Sequence, residues 1–241
     1  MIDFHCHILP KMDDGSHDLE ESMVLIHEER KQGIDTIVFT PHFYAQKDSV
    51  GHFLERRANR FQLLESEMKN NQITMRTYLG AEVYYFGGIG KAEMVSSLCI
   101  EGTGILLLEM PFVQWTQAVL ADVKQLLKRG ITVVLAHVER YFQFQKDMSV
   151  MNEVLSLDLI VQLNAGSILS GASLMHFAGR KKQKQCLALL REERDVLLGT
   201  DTHNMTTRPP RMREARDLIL SKTGQERLDR IDGLGERLLA I

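Results

Sequence analysis

Residues 1–42 read MIDFHCHILPKMDDGSHDLEESMVLIHEERKQGIDTIVFTPH, and this stretch decides the fold. It opens on a short apolar run, Ile2–His5. Asp18 then starts an amphipathic stretch of helical length, with Glu21 three residues later as a capping box and Gly33 as its end. A second run rich in β-branched residues follows at Thr36–Thr40. Strand, capped helix, strand is the unit of a parallel sheet.

The same alternation continues outward from this segment. Strand candidates recur at Met75–Gly80, Ile105–Glu109, Thr132–Ala136, Leu159–Asn164 and Asp195–Gly199. Between them, Phe53, Leu54, Phe61, Leu64 and Met68 form a helical stripe, Ala118–Arg129 reads as a helix closed by Gly130, and Arg211–Lys222 as one closed near Gly224. Seven strands alternating with helices predict an α/β fold with a TIM-like (β/α)₇ closure, an open doubly wound sheet being the alternative. In either architecture a site forms at the carboxyl ends of the strands.

Those ends carry metal-ligand chemistry. The first strand runs into His5-Cys6-His7, the second into Thr40-Pro41-His42, the third into Gly80-Ala81-Glu82 and the fourth into Glu109. His137 follows the fifth strand, with Glu139 and Arg140 after it, and Thr200-Asp201-Thr202-His203 follows the last. Residues i and i+2 of a strand face the same way, so His5 and His7 can reach one ion, and Asp201 and His203 share that spacing. Taken singly, a strand-end histidine is a satisfied polar group and a buried carboxylate an ion-pair partner; their conjunction at six strand ends is what points to a metal. His17, His27, His52 and His176 lack this placement and read as surface or packing residues. Asp13-Asp14-Gly15, after the first strand, is a turn or a carboxylate returning to the site. Asp14, Glu82, Glu109 and Asp201 bring four negative charges; three divalent ions would leave a surplus of two positive charges, which suits a phosphate dianion.

Composition excludes several other classes. The 241 residues suit one domain, and 29 Lys+Arg against 32 Asp+Glu give a net charge of −3, which is not that of a basic nucleic-acid binder. No apolar run approaches the roughly 20 residues of a membrane span, and MIDFHCHILP lacks a signal peptide's charged segment ahead of an apolar one. Three widely spaced cysteines fit a reducing cytosol. Thiolate phosphatase chemistry needs an Arg six residues after the Cys; Met12, Ile105 and Glu192 stand there. Gly87-Gly88-Ile89-Gly90 reads as a flexible turn rather than a phosphate loop. The basic run Arg180–Lys184 reads as a solvated helix face, with contact to an acidic tail as the other reading.

The segments MIDFHCHILPKMDDGS, TPH (40–42), GAE (80–82), LLLEMPF (106–112), AHVER (136–140) and TDTHN (200–204) resemble the PHP (polymerase and histidinol phosphatase) superfamily. Within it the chain is similar to the bacterial protein-tyrosine phosphatases encoded with capsular or exopolysaccharide export systems, over residues 1 to about 210. The resemblance implies a distorted (β/α)₇ TIM-like barrel, the PHP fold, and three divalent ions, Mn foremost, with Fe or Zn as alternatives. It implies His5, His7, Glu82 and Asp201 on one ion; Glu82, Glu109 and His137 on a second; and Asp14, His42 and His203 on a third. It implies Arg140 and Arg208 as catalytic phosphate-binding arginines.

The implied activity is metal-dependent hydrolysis of phosphotyrosine, with a PHP small-molecule phosphoesterase such as histidinol phosphatase as the alternative. The implied partner is a phosphotyrosine-bearing protein, the C-terminal tail of a membrane-associated bacterial tyrosine kinase, met in the cytoplasm without membrane insertion or nucleic acid; a homo-oligomer stays open. Three departures bear on substrate preference and leave every implied ligand in place. His137-Val138-Glu139-Arg140 replaces the usual His-Pro-Glu-Arg, Thr200-Asp201-Thr202-His203 replaces Ser-Asp-Ala-His, and Phe43-Tyr44 follows TPH where relatives carry a further His or polar run. Phe43 and Tyr44 are loop packing or a wall for a phenyl ring.

Overall fold

A computed structural model describes residues 1–172 and 177–240; His176 lies outside the described residues. Among the described residues nine strands occur in chain order: β1 (Ile2–Cys6), β2 (Thr36–Phe39), β3 (His42–Phe43), β4 (Arg76–Leu79), β5 (Glu82–Tyr84), β6 (Ile105–Glu109), β7 (Thr132–Leu135), β8 (Ile160–Asn164) and β9 (Val196–Gly199). Every pairing is parallel, in one sheet ordered β1-β2-β4 and another ordered β3-β5-β6-β7-β8-β9.

The nine strands occupy seven positions. β2 and β3 are halves of one strand interrupted at Thr40-Pro41, where proline supplies no N–H, and β4 and β5 are halves interrupted at Gly80-Ala81. The two sheets meet again beyond β9. Cys6 bridges Thr202 in parallel, His7 N donates to Thr202 O at 3.0 Å and Asp201 N donates to His5 O at 2.7 Å. The expected seven-fold parallel arrangement is therefore present, as a ring distorted at three places. His42 and Glu82 do not end the long strands, as the sequence reading expects; each begins a short one.

Alternation separates an inner from an outer core. Phe4, Val38, Leu107, Val134, Ile160 and Leu197 pack inside the ring, whereas Ile37, Phe39, Leu106, Leu108, Val133 and Leu198 face the helices. The inner core is closed from below by the helix Gln225–Leu239, which inserts Leu234 and Leu239. Gly235 permits this plug: a Cβ there would stand 2.8 Å from the Phe4 ring. The sequence reading does not anticipate this helix.

The anticipated helices run Leu19–Lys31, Val50–Asn70, Gln117–Lys128 and Met212–Thr223. Asp18 caps the first by accepting from Glu21 N, and Glu21 answers by accepting from His17 N rather than from Asp18. The 87–90 segment is pinned rather than free, because Asp122 accepts from Gly88 N at 3.0 Å and from Tyr85 Oη at 2.8 Å. Among the described residues no helix is long and apolar enough to cross a membrane.

Candidate metal centre

The nine side chains named as ligands converge at the carboxyl end of the ring. A register shift in β1 between Asp3 and Cys6 turns both Phe4 and His5 inward, so Phe4 joins the inner core while His5 and His7 face the site. Gly199 admits His5, since a Cβ at that glycine would lie 2.5 Å from the His5 Cβ. His137 and Asp201 hold left-handed backbone, φ 31° and 52°, where only glycine is at ease. Such strain costs of order 1 kcal/mol or more per residue and concentrates at functional sites. At His137 it swings inward a side chain that strand alternation would send outward.

Glu82 is the centre of the cluster. Its Oε2 lies 3.2 Å from His5 Nε2, 3.2 Å from His7 Nε2 and 3.0 Å from His42 Nδ1, and its Oε1 lies 2.7 Å from His137 Nε2. Asp201 Oδ1 stands 3.6 Å and 3.4 Å from the Nε2 atoms of His5 and His7. Glu109 stands 3.8 Å from His42 and 3.6 Å from His137. Asp14, the one exposed member, reaches His42 at 3.6 Å and His203 at 3.5 Å. Three groups could each hold one ion: His7, Asp14, His42 and His203; His5, His7 and Asp201; and His42, Glu82 and Glu109. His7 and His42 thus each join two groups, and His137 flanks the third through Glu82 and Glu109.

The donor set fits metal ions on three observations. The Nε2 atoms of His5 and His7 face each other at 3.1 Å. Their Nδ1 atoms are committed elsewhere, to Gln162 Oε1 at 3.0 Å and Asp13 Oδ2 at 2.7 Å, which leaves the Nε2 lone pairs as ligands. Buried Glu82 Oε2, Glu109 Oε2, Asp201 Oδ1, His42 Nδ1 and His137 Nδ1 have no hydrogen-bond partner among the described residues. Unpaired buried carboxylate oxygens are costly unless a cation is shared between them.

In the protein alone the imidazoles take up the carboxylates' charge: burial lowers His5, His7 and His42, but Glu82, Asp201 and Asp13 outweigh it and raise all three. Burial pushes Glu82 up, but His5 and His42 overcome it and hold the carboxyl well below its usual range. Glu109 is pushed up to about 7 by burial and by the charge on Glu82. His137 falls to about 4 through burial and the Arg140 charge, and so presents a neutral imidazole at pH 7.

Arg140 and Arg208 stand at the edge of the cluster and converge on one oxygen. Both guanidinium groups contact Asp201 Oδ2, Arg208 at 2.5 Å, and Arg208 Nη1 lies 2.6 Å from His203 Nε2. Both remain partly exposed. The sequence model of the family described as "Capsular polysaccharide synthesis, CpsB/CapC" matches residues 1–233. The chain belongs to that family.

Among curated CpsB/CapC-type relatives, it is 27% identical over 237 residues to the tyrosine-protein phosphatase CpsB of Streptococcus agalactiae serotype III, covering 96% of this chain and 94% of that one. It is 28% identical over 242 residues to the tyrosine-protein phosphatase CpsB of Streptococcus pneumoniae, covering 94% and 93%. Among solved structures, it matches one from a study of Bacillus subtilis YwqE and S. pneumoniae CpsB, described as metal-dependent tyrosine phosphatases. That match has a TM-score of 0.86 at 24% identity and covers 100% of this chain and 94% of the other. It establishes the fold.

Several site residues escape the sequence reading. Asp13, passed over in favour of Asp14, is buried against His7 and accepts from His42 N at 2.8 Å. β8, the strand with no acidic or imidazole end, supplies amides instead. Gln162 Oε1 takes His5 Nδ1 and His137 N; Gln162 Nε2 donates to Asn164 Oδ1 at 2.8 Å; Asn164 Nδ2 donates to Asp201 Oδ2 at 2.6 Å. Two amides at i and i+2 in an otherwise apolar strand were the available signal. Of the aromatic pair, Phe43 is packing, buried edge-on against Phe53. Tyr44 lies at the site, its ring 5.2 Å from His42 and 5.5 Å from Tyr84. His17, His27 and His52 are exposed.

Behind Asp201 sits a second, protein-only network. Thr200 Oγ1 lies 2.6 Å from Asp3 Oδ2 and 3.2 Å from Glu29 Oε1. One hydroxyl proton cannot serve both, so Glu29 donates its own proton to Thr200, which donates to Asp3. Burial and the neighbouring Asp3 charge raise Glu29 well above its usual value. A raised carboxyl pKa stabilises the fold at low pH. That contribution is lost as pH rises from the unfolded value of about 4.3 toward the folded one. Glu29→Gln keeps the donor without the titration. Its melting temperature should therefore exceed that of wild type at pH 8, and the gap should close by pH 5. A gap that stays constant with pH would place the proton elsewhere.

Proposed function

We propose that residues 1–241 form a single PHP-type metallophosphoesterase domain whose reaction is hydrolysis of phosphotyrosine monoesters on a protein. The observation that carries this reading is the convergence of nine ligand-type side chains, several with unpartnered buried atoms, beside two partly exposed arginines. His5, His7, Asp14, His42, Glu82, Glu109, His137, Asp201 and His203 would hold three divalent ions, Mn²⁺ foremost, with Fe or Zn able to substitute in such an N/O set. Bound ions would supply Lewis acidity and water acidified to a pKa of about 7.

The chain's own residues do the rest. Gln162 and Asp13 fix the tautomers of His5 and His7. Arg140 and Arg208 present planar forks to the phosphoryl oxygens. A cavity of about 380 Å³, lined by Met12, Asp13, Asp14, His42, Tyr44 and Lys47 among others, opens beside the ligands and has room for a phenyl ring against Tyr44. Burial and the nearby Glu109 and Glu82 charges raise the Tyr44 phenol, so it stays neutral. The leaving phenolate, with a parent pKa of about 10, needs no strong general acid.

The relatives named as tyrosine-protein phosphatases support the substrate class, and the family's role in capsular polysaccharide synthesis supports a tyrosine kinase tail as the protein partner. Three buried free thiols suit a cytoplasmic setting. The test is phosphate release from a tyrosine-phosphorylated peptide and from histidinol phosphate, with chelator-stripped protein before and after Mn²⁺. Metal-dependent release from the peptide is expected. Release from histidinol phosphate alone would move the function to small-molecule metabolism.

A further inference from the structure

A second cavity, of about 420 Å³, shares Arg140, Asp201 and Arg208 with the metal centre but contains none of its histidines. Its remaining charged lining is basic: Lys182, from the helix Phe177–Arg191, and Arg211. The cationic side chains are unevenly matched. Arg140 and Arg208 divide one oxygen of Asp201, and Arg211 is paired with Glu214 at 2.6 Å. Among the described residues Lys182 has no carboxylate partner, although it lines a cavity that holds three arginines.

Lys182 also stands apart within its own run. Arg180, Lys181 and Lys184 are exposed to solvent as the basic run predicts, whereas Lys182 is half-buried and turned to the cavity. Bringing a fourth cation toward three others is unfavourable unless an anion joins them. In the phosphotyrosine reading the phosphate undergoing hydrolysis lies on the ligand side of the arginines, which leaves the Lys182 side for a second anion. The lining suits a carboxylate or a phosphate, not a ring. The shared wall places the cavity within reach of the same peptide, which advances at most about 3.6 Å per residue when extended.

We propose that this cavity is an anion subsite that takes an acidic group flanking the phosphotyrosine on the same peptide, either a carboxylate side chain or the phosphate of a neighbouring phosphotyrosine. The proposal rests on the phosphotyrosine reading above. It makes Lys182 a specificity residue that leaves the chemical step alone.

The experiment compares Mn²⁺-loaded wild type with Lys182→Ala and Lys182→Glu on four substrates. These are p-nitrophenyl phosphate, a phosphotyrosine peptide flanked by alanines, one flanked by glutamates, and one carrying a second phosphotyrosine one to three residues away. Wild type should prefer the acidic peptides by about tenfold in kcat/KM, chiefly through KM, as expected for a charge-assisted contact. Lys182→Ala should erase the preference, Lys182→Glu should reverse it, and p-nitrophenyl phosphate should turn over at the wild-type rate. The glutamate and phosphate arms tell the two sources of anion apart.

Equal turnover of neutral and acidic peptides by wild type would overturn the subsite while leaving the phosphatase reading in place. No turnover of any phosphotyrosine peptide would overturn both. A uniform fall on all four substrates in both variants would show that Lys182 supports the fold, and the subsite would fail.

Discussion

Glu82→Gln should lower kcat/KM by about 10³-fold or more and abolish the rise in melting temperature that Mn²⁺ gives the wild type. The substitution is nearly isosteric, so its effect is one of charge and lone pairs. Glu82 touches four imidazoles, and its Oε2 has no hydrogen-bond partner among the described residues. An amide in its place offers one weaker acceptor and turns an N–H toward the site. Metal chemistry supplies several kcal/mol of transition-state stabilisation, and each 1.36 kcal/mol is tenfold in rate, which gives the expected magnitude.

The stability readout is independent of activity. A ligand that binds only the folded state stabilises it by RT ln(1 + [L]/Kd), so its melting temperature climbs with free metal concentration. In metal-free protein the sign is also fixed. Glu82 is held well below its usual value, so it stabilises the fold above the carboxylate range and that contribution is lost on acidification. Metal-free Glu82→Gln should therefore be less stable than wild type near pH 7, with the deficit shrinking as pH falls. Elemental analysis completes the test: full metal content together with near-wild-type kcat/KM would mean that Glu82 does not hold a metal ion.

What the sequence reveals and what it hides follow from one physical distinction. Strand alternation is local, so residues 1–42 expose the parallel strands, the capped helix and the paired histidines directly. Strand interruption is not local. His42 and Glu82 look like strand ends but begin short strands of their own, because Pro41 and Gly80-Ala81 break the ladders just before them. The inward turns of His5 and His137 depend on a register shift and a left-handed residue, which no hydrophobic pattern records. The supporting shell is hidden for a different reason. Gln162, Asn164 and Asp13 act on ligands 157, 37 and 6 residues away, and their chemistry, unlike that of a histidine pair, is not diagnostic by residue type. The helix Gln225–Leu239 goes unanticipated, and its role as the plug of the ring depends on Gly235 meeting Phe4 across the whole chain.

Arg140→Ala should lower kcat by about 10²- to 10³-fold with metal content unchanged, the loss expected when one preorganised donor to a developing charge is removed. Two observations separate this outcome from simple damage to the centre. Asp201 Oδ2 would keep Asn164 Nδ2 at 2.6 Å and Arg208 at 2.5 Å, so its carboxylate stays oriented. Asp201 Oδ1, the atom that faces His5 and His7, takes no hydrogen bond from Arg140. Arg140→Lys should recover only part of the rate, because an ammonium group restores charge without the planar fork. Added guanidinium should rescue Arg140→Ala, since that side chain is partly exposed at the opening. A metal content that falls in step with the rate would instead make Arg140 a brace for Asp201. The phosphate would then rest on Arg208, whose own replacement should carry the larger loss.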